Sequence, residues 1–174
     1  PCSVVQIGEE AFYEAKRLSD VVIKNKNCEM GANAFGLCDC LSDKDGFIIM
    51  DGVLHKSPAL FIEETLIIPS SVERIADHAL DCDGDCRYYR DDGSDVTGFC
   101  KKIVLPDTIK ESFSIHNSEV EEIVYNNKIN IRTMDLLGCI RLKRIILPTG
   151  SSISAYAFGF WKENARAIQR VHID

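Results

Sequence analysis

The sequence predicts an α/β solenoid, one array of short stacked units that each add a strand to a common ladder. Three observations predict it. A Leu-x-x-Val-x-Ile-like ending recurs along the chain. The strands it implies end at Ile23, Ile49, Ile68, Leu105, Tyr125, Leu147 and Ile173, a mean step of (173 − 23)/6 = 25 residues. An Ile-Gly-x-x-Ala-Phe signature at 7–12 returns as Met-Gly-x-x-Ala-Phe at 30–35. One such unit cannot bury its apolar side alone, whereas stacked units can, with neighbouring strands ~4.8 Å apart.

The elements follow in order. In residues 4–23, Ala11, Phe12 and Ala15 sit at near-helical spacing. The segment is too short for an independent helix, so a turn or two lying on a neighbour is expected. Leu18-x-x-Val21-x-Ile23 then alternates like a half-buried strand. Residues 27–41 repeat the pattern with Ala34-Phe35, Cys38 and Leu41. Residues 44–62 insert Phe47-Ile48-Ile49-Met50, Asp51-Gly52 and Val53-Leu54, and Asp-Gly between alternating apolar residues predicts a β-hairpin near 47–54. The array resumes over 66–82, gives way to an acidic surface loop at 83–98, and returns as a strand at Ile103-Val104-Leu105. Residues 109–125 are the most eroded copy, 131–148 a clearer one, and 153–173 the last. The reading is a single domain over 1–174 with six to seven units. Beginning at Pro1 and without a basic-then-apolar leader, it is expected to be a piece of a longer chain.

Composition narrows the function. Of the 174 residues, 45% are hydrophobic and 27% charged, the balance of a folded chain. A net charge of −7 argues against nucleic acid or an anionic membrane as partner, since both are bound through surplus Lys and Arg. No apolar run approaches the length that spans a bilayer. The eight cysteines suit a disulfide framework in an exported chain, or thiols and metal ligands in a cytoplasmic one.

The repeated signature, Ile-Ile-Pro-Ser-Ser-Val at 67–72, and Leu-Pro at 105–106 and 147–148 resemble the BspA-like leucine-rich repeat family. So do the Cys three residues beyond the Ala-Phe position and the Asp51-Gly52-Val53-Leu54 turn. The 25-residue step lies within the range of leucine-rich repeats. The resemblance implies a right-handed leucine-rich-repeat solenoid with a parallel strand ladder on the concave face and short helices or turns on the convex side. It also implies a bacterial surface or secreted setting, a binding scaffold that is often adhesive, and no catalytic residues to carry over. Extracellular or cell-surface localisation is the expectation, with a cytoplasmic one as the alternative.

Strand residues alternate between core and open face. With Val21 and Ile23 inward, Val22 points out, and the same outward column is predicted to hold Ile67, Val104, Val124, Ile146 and His172. Beside it run polar and charged pairs that include Asp20, Lys102, Glu122, Lys143, Arg144 and Arg170. These form acidic and basic rungs with an acidic N-terminal and a basic C-terminal end. Opposite charges on neighbouring strands stabilise a sheet, so part of the pattern is structural. The rest offers a partner a gradient to read.

Cys38, Cys82 and Cys139 share one repeat position and are expected in the core. His78, Cys82, Cys86 and Cys100, with Asp83 and Asp85, have the donor types of a zinc or calcium site, although neither the tight Cys-x-x-Cys spacing nor the EF-hand pattern is present. No nucleophile elbow, phosphate loop or His-Glu-x-x-His occurs. The expectation is a non-enzymatic module without a cofactor, binding a protein or glycan, possibly host-derived, on its concave face. A structural spacer in a longer array, or a metal or hydrolytic site in the 78–100 loop, are the alternatives.

Overall fold

The computed structural model describes residues 3–25, 27–31, 34–58, 64–77, 79–80, 100–115, 119–159 and 172–173, the last two by backbone alone. The chain forms a β-solenoid of about five turns with parallel ladders, and the described residues contain almost no helix. Its strands are β1 (Gln6–Ile7), β2 (Glu29–Met30), β3 (Ile48–Met50), β4 (Val53–Lys56), β5 (Thr65–Ile67) and β6 (Arg74–Ile75). They continue as β7 (Lys102–Leu105), β8 (Glu122–Tyr125), β9 (Asn130–Ile131), β10 (Arg144–Ile146), β11 (Ser152–Ile153) and β12 (His172–Ile173).

The main ladder is a five-stranded parallel sheet in the order β12-β10-β8-β7-β5. Its register is fixed by burial. Ile103, Ile123 and Ile145 are fully enclosed at one height, Leu105 and Tyr125 are buried together two residues further along, and the residues between face out. A slip of one residue would exchange these two sets. Shorter ladders, β1-β2, β4-β6 and β9-β11, run along the turns that follow the main strands.

Residues 11–17 and 34–37 are turns, and the only helical piece among the described residues is a 3-10 turn at Asp39–Leu41. Glu14 and Leu37, at equivalent positions, have φ of 58° and 54°; Met134 and Tyr156 have 68° and 62°. A left-handed residue cannot continue a right-handed helix. The peptide groups are satisfied between units instead: Phe12 and Glu14 N–H donate to Ala34 and Gly36 carbonyls at 2.9 and 2.8 Å. Met134 and Leu136 N–H donate to Tyr156 and Ala157 carbonyls at 3.0 and 2.9 Å. Of the expected helices or turns, these described segments use turns, because inter-unit hydrogen bonds take the donors a helix would need.

Two expectations about the ladder change. Residues 18–25 form no strand, so Leu18–Ile23 is not a rung of the main ladder. Its sense of burial is as expected, with Leu18, Val21 and Ile23 against the core and Val22 exposed. The segment that should neighbour it, β3, is engaged in antiparallel pairing with β4, which leaves 18–23 without a parallel partner. Asp51 and Gly52 make the β3–β4 turn with φ of 51° and 76°. β4 then pairs in parallel with β6, so Val53–Lys56 is itself a rung of a ladder.

Asp135 pins one unit to the next. It is one of two buried polar residues among those described. Its carboxylate accepts from Ser112 Oγ and, at 2.6 Å, from Arg132 N–H, and the Arg132 guanidinium lies 3.5 Å away. Its carbonyl accepts from Ile115 N–H at 2.7 Å. Asp135→Ala strands two donors and is expected to cost about 2–4 kcal/mol in urea unfolding, against roughly 1 kcal/mol for Asp135→Asn, which keeps an acceptor. Equal losses for the two variants would show that the carboxylate does not hold this joint.

Candidate surface on the five-stranded sheet

Strands β5, β7, β8 and β10 turn alternate side chains outward, and the ladder aligns them into columns. Ile67 pairs with Val104, Val104 with Val124, and Val124 with Ile146, so this apolar column stands as predicted. Ile67, on the edge strand, is 65% exposed; Val104, Val124 and Ile146 are half-buried. Two residues earlier along each strand lies a second column, Thr65–Lys102–Glu122–Arg144.

His172 belongs to the second column. It aligns with Arg144, and Ile173 with Ile145. The expectation that put it beside Ile146 matched strands by their last apolar residue, Ile173 with Leu147. The ladder instead sets Ile173 level with Ile145, the enclosed residue of β10, which moves His172 by two positions. Asp20 and Val22 are exposed but lie in the irregular segment, off the sheet. Arg170 falls outside the described residues.

The charged rungs neutralise one another across the ladder. Lys101 meets Glu64 at 3.2 Å, Lys102 meets Glu122 at 2.8 Å, and Lys143 meets Glu121 at 2.7 Å. Arg144 reaches Glu122 at 4.0 Å, and Arg141 pairs with Glu119 at 2.6 Å. The Lys143 hydrogen bond holds the Glu121 carboxyl below the usual carboxylate range. Exposed pairs of this kind contribute little stability each, under about 1 kcal/mol. Their stronger effect is on shape and sign: they hold six charged side chains around a groove of about 450 Å³, lined by Lys101, Lys102, Glu121, Glu122, Lys143 and Arg144. Sequence reasoning missed Glu119 and Arg141, which precede the strands but join the same lattice.

Among the described residues Cys28, Cys38, Cys100 and Cys139 are buried and Cys40 is exposed. Cys38 and Cys139 donate from the core to carbonyls of the preceding unit, Phe12 at 3.0 Å and Ile115 at 3.5 Å. That is the buried role expected of their shared position. Cys100 is enclosed too and donates to the Lys102 carbonyl at 3.0 Å. Burial pushes its thiol pKa up, partly offset by hydrogen bonds with the Leu66 and Lys102 backbone. Its proposed companions His78, Cys82, Asp83, Asp85 and Cys86 lie outside the described residues. Among the described residues no three metal-donor side chains converge, and no helix is long and apolar enough to cross a membrane.

Residues 1–46 match the family described as BspA type Leucine rich repeat region (6 copies). The fold is similar to that of a leucine rich cell surface protein from Faecalibacterium prausnitzii A2-165, with a TM-score of 0.53 and 23% identity over 99% of this chain. The chain spans about half of that protein, 52% of its length. No curated protein matches the sequence.

Proposed function

We propose that the chain, whose residues 1–46 match a BspA-type leucine rich repeat region and whose fold is similar to that of a leucine rich cell surface protein, is a non-enzymatic recognition module built of such repeats. It binds an extended protein segment or a glycan on the outward face of the five-stranded sheet. The observation that carries this reading is the apolar column Ile67–Val104–Val124–Ile146, which stands in register beside the charged column Lys102–Glu122–Arg144. Apolar side chains lined up on an open face gain free energy when covered. The flanking charges, already ordered by their partners, set register and exclude mismatched ligands. Lys143, Arg144 and Arg141 concentrate cations toward the C-terminal rungs, which favours an acidic stretch there. A cell-surface setting is part of this reading.

The test uses an extracellular-matrix extract as bait. The triple variant Val104→Ala, Val124→Ala, Ile146→Ala is expected to keep the circular dichroism spectrum of the parent. It is expected to bind the matrix component captured by the parent about a hundredfold more weakly, from roughly 1 kcal/mol lost per side chain. Undiminished capture by this variant would remove the sheet face as the binding surface.

A further inference from the structure

The groove on the five-stranded sheet has a direction. It is lined by Lys101 and Lys102 at the start of β7, Glu121 and Glu122 at the start of β8, and Lys143 and Arg144 at the start of β10. Two neighbouring residues from each of three rungs take part, so the groove runs across the strands, along the ladder. Each of these strands has a neighbour on both edges: β5 and β8 for β7, β7 and β10 for β8, β8 and β12 for β10. No strand edge opens into the groove, so a bound chain cannot join the ladder through its backbone. Side chains alone must hold it.

The sign of the rungs alternates in this direction. Glu64, ahead of β5, is acidic, the β7 pair basic, the β8 pair acidic and the β10 pair basic. Four basic residues line the groove against two acidic ones, and Glu64 adds a third carboxylate at the β5 end, so cations remain in excess. Lys102 and Arg144 stand level, one on either side of Glu122. They are two rungs apart, ~9.6 Å. Two residues further along each strand, ~6.6 Å away, the apolar column Val104–Val124–Ile146 runs beside them.

This spacing selects a ligand conformation. A β-strand repeats a side chain on one face every ~6.6 Å and then at ~13 Å, so its acids miss the two-rung step. A polyproline II helix has three residues per turn and rises ~3.1 Å per residue, which puts residues i and i+3 on one ridge ~9.3 Å apart. Its backbone makes no internal hydrogen bonds and stays solvated, which suits a face that offers only side chains.

Resting on the recognition reading above, we infer that the occupant of this groove is a polyproline II segment that crosses the strands and carries acidic side chains at i and i+3. One ridge sets its two acids on the Lys101–Lys102 and Lys143–Arg144 rungs. The next ridge lays proline or other apolar side chains on Val104, Val124 and Ile146, and the third faces water. Lysine carries three donors and arginine five, so each has donors beyond the one its glutamate takes. The ligand therefore adds to the charge lattice without breaking it.

The test titrates the intact chain with synthetic proline-rich peptides of one composition, followed by NMR chemical shifts. Each peptide carries two aspartates, at i and i+3, at i and i+2, or at i and i+4. The i and i+3 peptide is expected to bind at least ~tenfold more tightly than the others, to shift the Lys102, Glu122 and Arg144 amides, and to weaken as salt rises. Lys102→Gln combined with Arg144→Gln is expected to erase the preference. The inference is overturned if the three peptides bind alike, or if the double variant keeps the preference. Tighter binding of an oligogalacturonate of equal charge would assign the groove to an acidic glycan and overturn it too. If no peptide binds while matrix capture still depends on Val104, Val124 and Ile146, the polyproline ligand is rejected and the recognition reading stands. If that dependence fails as well, both are rejected.

Discussion

Ile123→Ala is expected to destabilise the protein by about 2–5 kcal/mol, whereas Val124→Ala, one residue along the same strand, is expected to cost less than about 1 kcal/mol. Ile123 is 0% exposed at the centre of the main ladder, level with Ile103 and Ile145. Removing its side chain leaves a cavity between three rungs that ordered strands cannot close. Val124 lies on the opposite face, half-buried between Val104 and Ile146. Urea unfolding of the two variants measures the contrast. Similar losses would mean that the two faces of the sheet are not separated as the register requires.

Acidification is expected to weaken the fold through His55. The ring lies in β4, edge-on to Phe35 at 6.2 Å, with Nδ1 buried and no partner reaching it among the described residues. Burial, reinforced by the charge of Arg74, lowers its pKa from 6.5 to about 4. The folded state therefore binds the proton less readily than the unfolded chain does. This stability is present in full above pH 6.5 and is lost as pH falls towards 4, by roughly 3 kcal/mol in all. Carboxylates titrate in part of the same range, so the informative quantity is the stability difference between the parent and His55→Phe. That difference is expected to move in favour of the variant by roughly 3 kcal/mol between pH 7 and pH 4. A difference that stays constant across this range would show that His55 is not held neutral by the fold.

The ladder was legible because its code is burial at a fixed step. Ile103, Ile123 and Ile145 are the apolar positions that parallel strands must align, and they drew Val104, Val124 and Ile146 into an outward column with them. The N-terminal rung was not legible. Val21-x-Ile23 has the right alternation, but whether it becomes a strand depends on a neighbour, and β3 pairs elsewhere. His172 was misplaced for a related reason, since strand ends read from composition do not fix which residue stands level with Ile145. The turns at Glu14, Leu37, Met134 and Tyr156 carry no glycine to announce a left-handed backbone. Asp135 gave no signal because its donors, Ser112 and Arg132, come from two different units.

On the surface, the sequence marked the charged residues but not their mutual pairing. Lys102, Glu122 and Arg144 could be placed on one face from spacing alone, whereas the contacts of Lys143 with Glu121 and Arg141 with Glu119 depend on side-chain reach across the rungs. Those contacts turn a gradient of charge into an ordered lattice around a groove.

Recognition on the sheet face is tested most directly by photo-crosslinking with a benzoylphenylalanine at position 124, on that face, and in a second protein at position 156, on the turn side. Both are exposed to the same matrix extract. The predicted result is a crosslinked partner from position 124 and none from position 156. Crosslinking from position 156 with none from position 124 would contradict it.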